Sequence, residues 1–401
     1  MEFDLDYSEN AIGLEDESDL RPLSRIDINS VSVTGSDWTT ETILSQLKKG
    51  NIELNPRFQR RDAWEVERKS AFIESLILGL PVPQIVLAEK VHERGKFIVL
   101  DGKQRLLCLR RFVSLQDDKD FDAFRLTGLT IRQDLNGKTF EDLTQDLQFR
   151  GEIDAFENQT MRTVVVRNWK AESLLFHVFL RLNTGSKPLS PQELRQALHP
   201  GPFMDFADEA SAASKAVRDV FRLRHPDFRM RDVELIIRYF SFTNRLAQYR
   251  GNLKEFLDDS CGFFNANWGS WSKTLEFQVQ ELDDAHNLAL KVFGPEFRYS
   301  KWLGSRYESR FNRAVFDIII AGFLNRDLKV LVDRDPARCT TTFQTLCESN
   351  PDFLGSIEST TKSLNATRDR YLKWFAALSE SYSHQLTPPD LPRLKNDERV
   401  A

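Results

Sequence analysis

Within Phe97–Phe112 the spacing of apolar residues changes period, and that change predicts the element on which the N-terminal half of the chain is built. Phe97, Ile98, Val99 and Leu100 run without a polar break, as in a short strand buried on both faces. Asp101 and Gly102 end the run, and Leu106, Leu109 and Phe112 resume it at helical spacing. Glycine supplies the backbone freedom that a sharp strand-to-helix turn needs. Asp101, Lys103, Gln104 and Arg105 then gather at a helix N-terminus, where unpaired N–H groups and the helix dipole favour an anion such as phosphate. Asp101 is open to two readings: a helix N-cap, or a carboxylate that holds a divalent metal or orients water. Arg105 offers a planar fork of donors as a phosphate clamp.

The flanking pattern predicts more elements of the same domain. Thr39 or Thr40 caps a helix through Ile43, Leu44 and Leu47 that Gly50 stops. An extended segment from Asn55 to Trp64 leads to a helix burying Phe72, Ile73, Leu76 and Ile77, opened by a capping box of Asp62 and Glu65. Leu80-Pro81-Val82-Pro83 forces an extended exit into a strand from Gln84 to Ala88, and His92–Lys96 makes the turn. Residues 114–160 read as polar and irregular. A strand at Thr163–Val166 and a helix from Ala171 to Leu182 follow, and Ser190, Pro191 and Glu193 open a further helix as N-cap, first residue and capping-box partner. Phe58 and Trp64 anchor the basic loop of Arg57, Gln59, Arg60 and Arg61, which points to ligand contact as well as to simple solvation.

Composition narrows the class without naming a chemistry. A chain of 401 residues with 41% hydrophobic content has room for two or three domains and can fill real cores. The N-terminus is acidic where a secretory signal is basic and then apolar, and no run of eighteen apolar residues occurs, so a cytoplasmic protein away from membranes is expected. Cys108, Cys261, Cys339 and Cys347 show no CxxC spacing and read as reduced packing residues. The net charge of −5 is dominated by residues 1–20, which hold eight acidic residues and no Lys or Arg, so the remainder is near neutral. Residues 1–35 read as an acidic disordered tail, solvating or competing with nucleic acid for a basic groove.

Beyond Phe203 the pattern is helical and rich in aromatics, with strongly apolar stretches at Val233–Phe240, Leu282–Phe293 and Val315–Phe323. In Phe297–Arg313 basic residues alternate with aromatics, and two readings stay open. Arg298, Lys301, Arg306, Arg310 and Arg313 hold nucleic-acid phosphates while rings stack bases, or the segment is an amphipathic helix with a solvated basic face. Residues 386–401 read as a loose tail.

Four stretches in this order, RFQR at 57–60, the Trp64 helix with its GLPVP link, DGKQRL at 101–106 and RLNTGSKPLSPQELRQAL at 181–198, resemble the N-terminal domain of GmrSD-type restriction systems. That domain belongs to the ParB-like and sulfiredoxin-like fold group, and the resemblance covers about residues 36–245. It implies binding and hydrolysis of a nucleoside triphosphate, licensing attack on modified phage DNA. Asp101, Gln104 and Arg105 match the family's site motif, Arg57, Gln59 and Arg60 its other polar motif, and Asn183, Thr184 and Gly185 its third. The usual motif reads Asp-Gly-Gln-Gln-Arg, so Lys103 departs at its third position, which implies stronger phosphate binding or a different choice of nucleotide. Many full-length members add an HNH-type nuclease. The six histidines, His92, His177, His199, His225, His286 and His384, form no such module, so that half is expected to be absent or carried by a separate effector chain.

The expectation is therefore α+β: a ParB-like nucleotide-binding domain over residues 36–200 with a small mixed sheet, then an all-helical domain over 201–385. Its expected function is that of an NTPase component of an anti-phage, restriction-type defence system acting on foreign DNA. Asp101, Gln104 and Arg105 are the catalytic candidates. Arg57, Gln59, Arg60, Gly102, Lys103, Asn183, Thr184 and Gly185 bind nucleotide, and Mg²⁺ or Mn²⁺ sits at Asp101. The alternatives are a metal-dependent DNA nuclease in its own right, or a non-catalytic nucleotide- or DNA-sensing module that switches a partner.

Overall fold

The computed structural model describes residues 31–393 apart from 53, 55–63, 115–120, 171, 173, 176, 179–189 and 360. The chain divides into two compact units. One runs up to Leu198 and takes in Pro226–Met230; the other comprises His199–His225 and the chain from Arg231 onward.

The first unit is α+β. Its elements are β1 (Ser32–Thr39), α1 (Thr40–Lys48), α2 (Val66–Ile77), β2 (Ile85–Glu89), β3 (Phe97–Asp101), α3 (Lys103–Phe112), α4 (Phe140–Gln145), α5 (Arg150–Asn158), β4 (Thr160–Arg167) and α6 (Pro191–Leu198). The four strands form one mixed sheet in the order β1-β4-β2-β3, with β2 parallel to β4 and the other two pairs antiparallel. Phe97 and Val99 pack with the apolar sides of α1, α2 and α3, while Ile98 and Leu100 pack with Trp169, Leu174, Leu175 and Leu194. Burial on both faces is why β3 carries no polar alternation.

Most of the local expectations hold, and three change. Thr39 caps α1, accepting from the Thr42 N–H at 3.1 Å, and Gly50 adopts φ +63° beyond its end. β1 begins at Ser32, inside the stretch read as tail. It has almost no apolar inward positions, and its pairing with β4 from Ser32↔Arg167 to Thr39↔Thr160 comes from a partner far along the chain. Glu65 is itself the N-cap of α2 and makes no side-chain cap bond, so it does not serve as the capping-box partner expected of it; Asp62 lies outside the described residues.

The largest change is in residues 121–160, which are ordered rather than irregular. Thr139 and Asp142 form a reciprocal capping box at α4 (3.1 and 2.9 Å), and Phe112 meets Phe124, Phe140 and Phe156 at centroid distances of 5.8, 5.5 and 5.4 Å. Glu74 of α2 ties the segment down through the N–H groups of Ile131 and Arg132 (3.3 and 2.7 Å). The apolar residues here are spaced too irregularly for one face of one element, and the core they reach is built from other helices.

The second unit is mostly helical. It contains α7 (Pro202–Ala213), α8 (Lys215–Phe221), α9 (Arg231–Arg245), α10 (Leu253–Ala266), α11 (Trp268–Phe293), α12 (Arg313–Leu324), α13 (Arg326–Arg334), α14 (Pro336–Ser349), α15 (Pro351–Glu358) and α16 (Leu364–Tyr382). No helix among the described residues is long and apolar enough to cross a membrane.

Candidate functional site

The turn between β3 and α3 has a geometry that follows from one glycine and one bulge. Pairing of β2 with β3 steps from Val86↔Asp101 to Leu87↔Val99, leaving Leu100 as the extra residue immediately before Asp101. Bulges of this kind re-aim the side chains beside them. Gly102 then takes φ +96° as the N-cap of α3, with no side-chain cap. The N-cap role considered for Asp101 thus falls to Gly102, because Asp101 still belongs to the strand. The first helical bond is Leu106 N–H to Gly102 O at 2.9 Å, so the N–H groups of Lys103, Gln104 and Arg105 have no intrahelical acceptor.

Arg105 turns back over this N-terminus. Its Nη2 donates to Asp101 Oδ2 and to the Gln84 carbonyl, each at 2.9 Å. A Cβ built on Gly102 would lie 3.3 Å from Arg105 Nη2, 3.4 Å from its Nε and 3.2 Å from Ile85 Cγ1. The guanidinium is therefore laid against the turn, and its buried Nε–H has no hydrogen-bond partner among the described residues. A buried donor without an acceptor is uncommon in a folded protein. Gly102→Ala is expected to destabilise the domain by about 1 to 3 kcal/mol from the left-handed backbone alone, and to push the guanidinium aside. Urea unfolding checks the first effect, and an unchanged midpoint would rule it out.

Lys103 is less accessible than its place in the motif suggests. Its ammonium donates to Glu193 Oε1 at 2.5 Å, with both side chains only 6% exposed. Glu193 Oε2 accepts the Ser190 N–H at 2.7 Å while Ser190 Oγ accepts the Glu193 N–H at 3.1 Å, which is the expected capping box of α6. Sequence reasoning found that cap and missed its second bond, because no local pattern marks an ion pair between residues 90 positions apart. Gln104 is half-buried beside the turn. Asp101, Lys103, Arg105 and Glu193 together carry no net formal charge. Arg57, Gln59, Arg60, Asn183, Thr184 and Gly185 lie outside the described residues.

Residues 40–200 match the family model described as the GmrSD restriction endonuclease, N-terminal domain. Over these residues the chain is similar to a GmrSD-type N-terminal domain. The match spans the sheet, the turn and α6, and it points to a restriction-type defence system acting on DNA. No curated protein and no solved structure matches the chain. The matched region places Asp101, Gly102, Lys103, Gln104 and Arg105 on one turn, and Glu193 joins α6 to it.

The basic and aromatic segment of the helical unit is neither an amphipathic helix nor an open stacking surface. Gly304 (φ +83°) turns a tight hairpin in which Leu303 N–H reaches Arg306 O and Glu308 N–H reaches Lys301 O, each at 2.9 Å. Phe297 and Tyr299 face the core, Tyr299 lying 4.9 Å from the Phe316 ring and its hydroxyl 2.8 Å from His286 Nδ1. Arg313 is enclosed and paired with Glu234 at 2.9 Å, which withdraws it from any surface role, and Lys301 pairs with Glu358. Arg306 and Arg310 are exposed, and Arg298 is half-buried. Alternation in sequence misleads here because the rings turn inward while the arginines diverge.

Proposed function

We propose that the GmrSD-type domain binds a nucleoside triphosphate at the β3–α3 turn and hydrolyses it, licensing action on foreign DNA. The observation that carries this reading is Arg105. A guanidinium is held against an N-terminus with no side-chain cap, and its buried Nε–H has no partner among the described residues. A phosphate oxygen would satisfy that donor, at a helix N-terminus whose dipole favours an anion.

Asp101 would share Mg²⁺ or Mn²⁺ with the phosphates, since Mg²⁺ is commonly held by one or two carboxylates plus the substrate's own oxygens. Such an ion would supply charge neutralisation on the phosphoryl oxygens. Asp101 keeps part of its surface open to solvent, which suits a carboxylate that receives an ion. Arg105 then clamps phosphate and Gln104 orients the nucleotide. Arg57, Gln59, Arg60, Asn183, Thr184 and Gly185 complete the nucleotide site, and the cutting of DNA falls to a separate effector chain.

Phosphate release from each of the four ribonucleoside triphosphates, with Mg²⁺ or Mn²⁺ and with or without DNA, tests the reading. Turnover of at least one nucleotide, raised by DNA, is the expected result. Nucleotide binding with no turnover under any condition would replace hydrolysis with sensing.

A further inference from the structure

The charge balance of the turn raises a problem for any polyanion that enters it. Both cations of the motif are already spoken for, Arg105 by Asp101 and Lys103 by Glu193. The two pairs differ in exposure. Asp101 is 27% exposed and can be neutralised by a divalent ion, which frees Arg105 for phosphate. Glu193 is 6% exposed, and its other oxygen is committed to the N-terminus of α6.

We infer that Glu193 is the positioning residue of this turn: it holds the Lys103 ammonium against the α6 N-terminus, so that phosphate must compete with a buried carboxylate for that lysine. The inference rests on the proposed nucleotide site and adds to it a determinant of phosphate affinity. Removing one partner of a buried ion pair leaves the other charge uncompensated and in need of a counterion. Entry of phosphate onto Lys103 therefore loosens its pair with Glu193, the residue whose other oxygen caps α6. The pairing depends on a lysine at position 103, so it is a property of this chain's DGKQR motif.

Glu193→Gln separates the two jobs of the side chain. Glutamine still accepts the Ser190 N–H in a capping box, whereas the Lys103 ammonium no longer faces the negative charge of Glu193. The test measures binding of tripolyphosphate and of each ribonucleoside triphosphate, with Mg²⁺, to the full chain, to Glu193→Gln, to Lys103→Gln and to the double variant. Glu193→Gln is expected to bind about tenfold more tightly, the worth of one charge-assisted hydrogen bond gained. That gain should vanish in the double variant, which should match Lys103→Gln. A purely capping role would leave phosphate affinity unmoved.

Circular dichroism of each variant establishes that it is folded. Glu193→Asp, whose shorter side chain keeps the charge, serves as a second probe where Glu193→Gln fails to fold, and is expected to bind more tightly because it reaches Lys103 less well. Equal affinity of the parent and the folded Glu193 variants, with both binding, overturns the inference and leaves the nucleotide site standing. Absence of binding in the parent and every variant overturns both.

Discussion

Asp317→Ala is expected to destabilise the helical unit by about 3 to 5 kcal/mol, the cost of removing one partner from a buried ion pair. Arg238 of α9 grips Asp317 of α12 with two bonds, Nε to Oδ1 at 2.8 Å and Nη2 to Oδ2 at 2.7 Å. Arg370 of α16 adds Nη2 to Oδ2 at 3.4 Å, and Arg313 pairs with Glu234 beside them. The side chains of Arg238, Asp317 and Arg370 are at most 2% exposed. Burial acts to lower the Arg238 pKa, but the adjoining Asp317 carboxylate outweighs it and holds the guanidinium above its ordinary value. Burial pulls the Arg370 guanidinium below its ordinary value despite Asp317, so this cation is already poorly accommodated. Without Asp317 two guanidinium groups face each other in the core, Arg370 keeping its bond to the Thr361 carbonyl at 2.6 Å. Urea unfolding reads the effect, and Asp317→Asn, which retains an acceptor, should lose less. A loss under about 1 kcal/mol for Asp317→Ala, the size of an exposed pair, would mean that solvent reaches these arginines.

At the turn, Asp101→Ala and Arg105→Met are expected to fail in different ways. Asp101→Ala removes the proposed metal ligand and releases Arg105 from its nearest anion. Turnover should then be lost while nucleotide still binds. Arg105→Met removes the clamp while keeping an apolar stem of similar length, so binding itself should fall by about 10- to 100-fold, the worth of a hydrogen bond to a charged group. The cost of Arg105→Met to stability should be small, about 1 kcal/mol or less, because the unpaired Asp101 is partly solvated. Isothermal titration with each triphosphate, paired with phosphate-release kinetics, separates the two outcomes. Identical loss of binding in both variants would remove the division of labour between clamp and metal ligand.

Much of the N-terminal unit was legible because its signals are local. The continuous run Phe97–Leu100, the break at Asp101-Gly102 and the helical spacing of Leu106, Leu109 and Phe112 sit within sixteen residues, and they define β3, the turn and α3. Ser190 and Glu193, three residues apart, marked the start of α6 in the same way. Caps and periodicities obey short-range geometry, so a sequence displays them directly. The order of motifs was also enough to show the resemblance to the GmrSD-type N-terminal domain that residues 40–200 match.

Tertiary structure decided what depends on partners distant along the chain. β1 is a strand because β4, more than a hundred residues later, pairs with it. Residues 121–160 are ordered because Glu74 and the Phe112 cluster receive them. The alternating segment at Phe297–Arg313 leaves a stacking surface and an amphipathic helix both open in sequence, and only the fold sets Tyr299 against Phe316 of α12 and Arg313 beside Glu234. In the DGKQR motif itself, the residue types were visible in sequence, whereas their charge state as a group was not. The sequence determined that Asp101, Lys103 and Arg105 share one turn. Only the fold determined that Lys103 meets Glu193 and that Arg105 spans Asp101 and Gln84, because the electrostatics of a buried charge depend on whichever group the chain brings within hydrogen-bond reach.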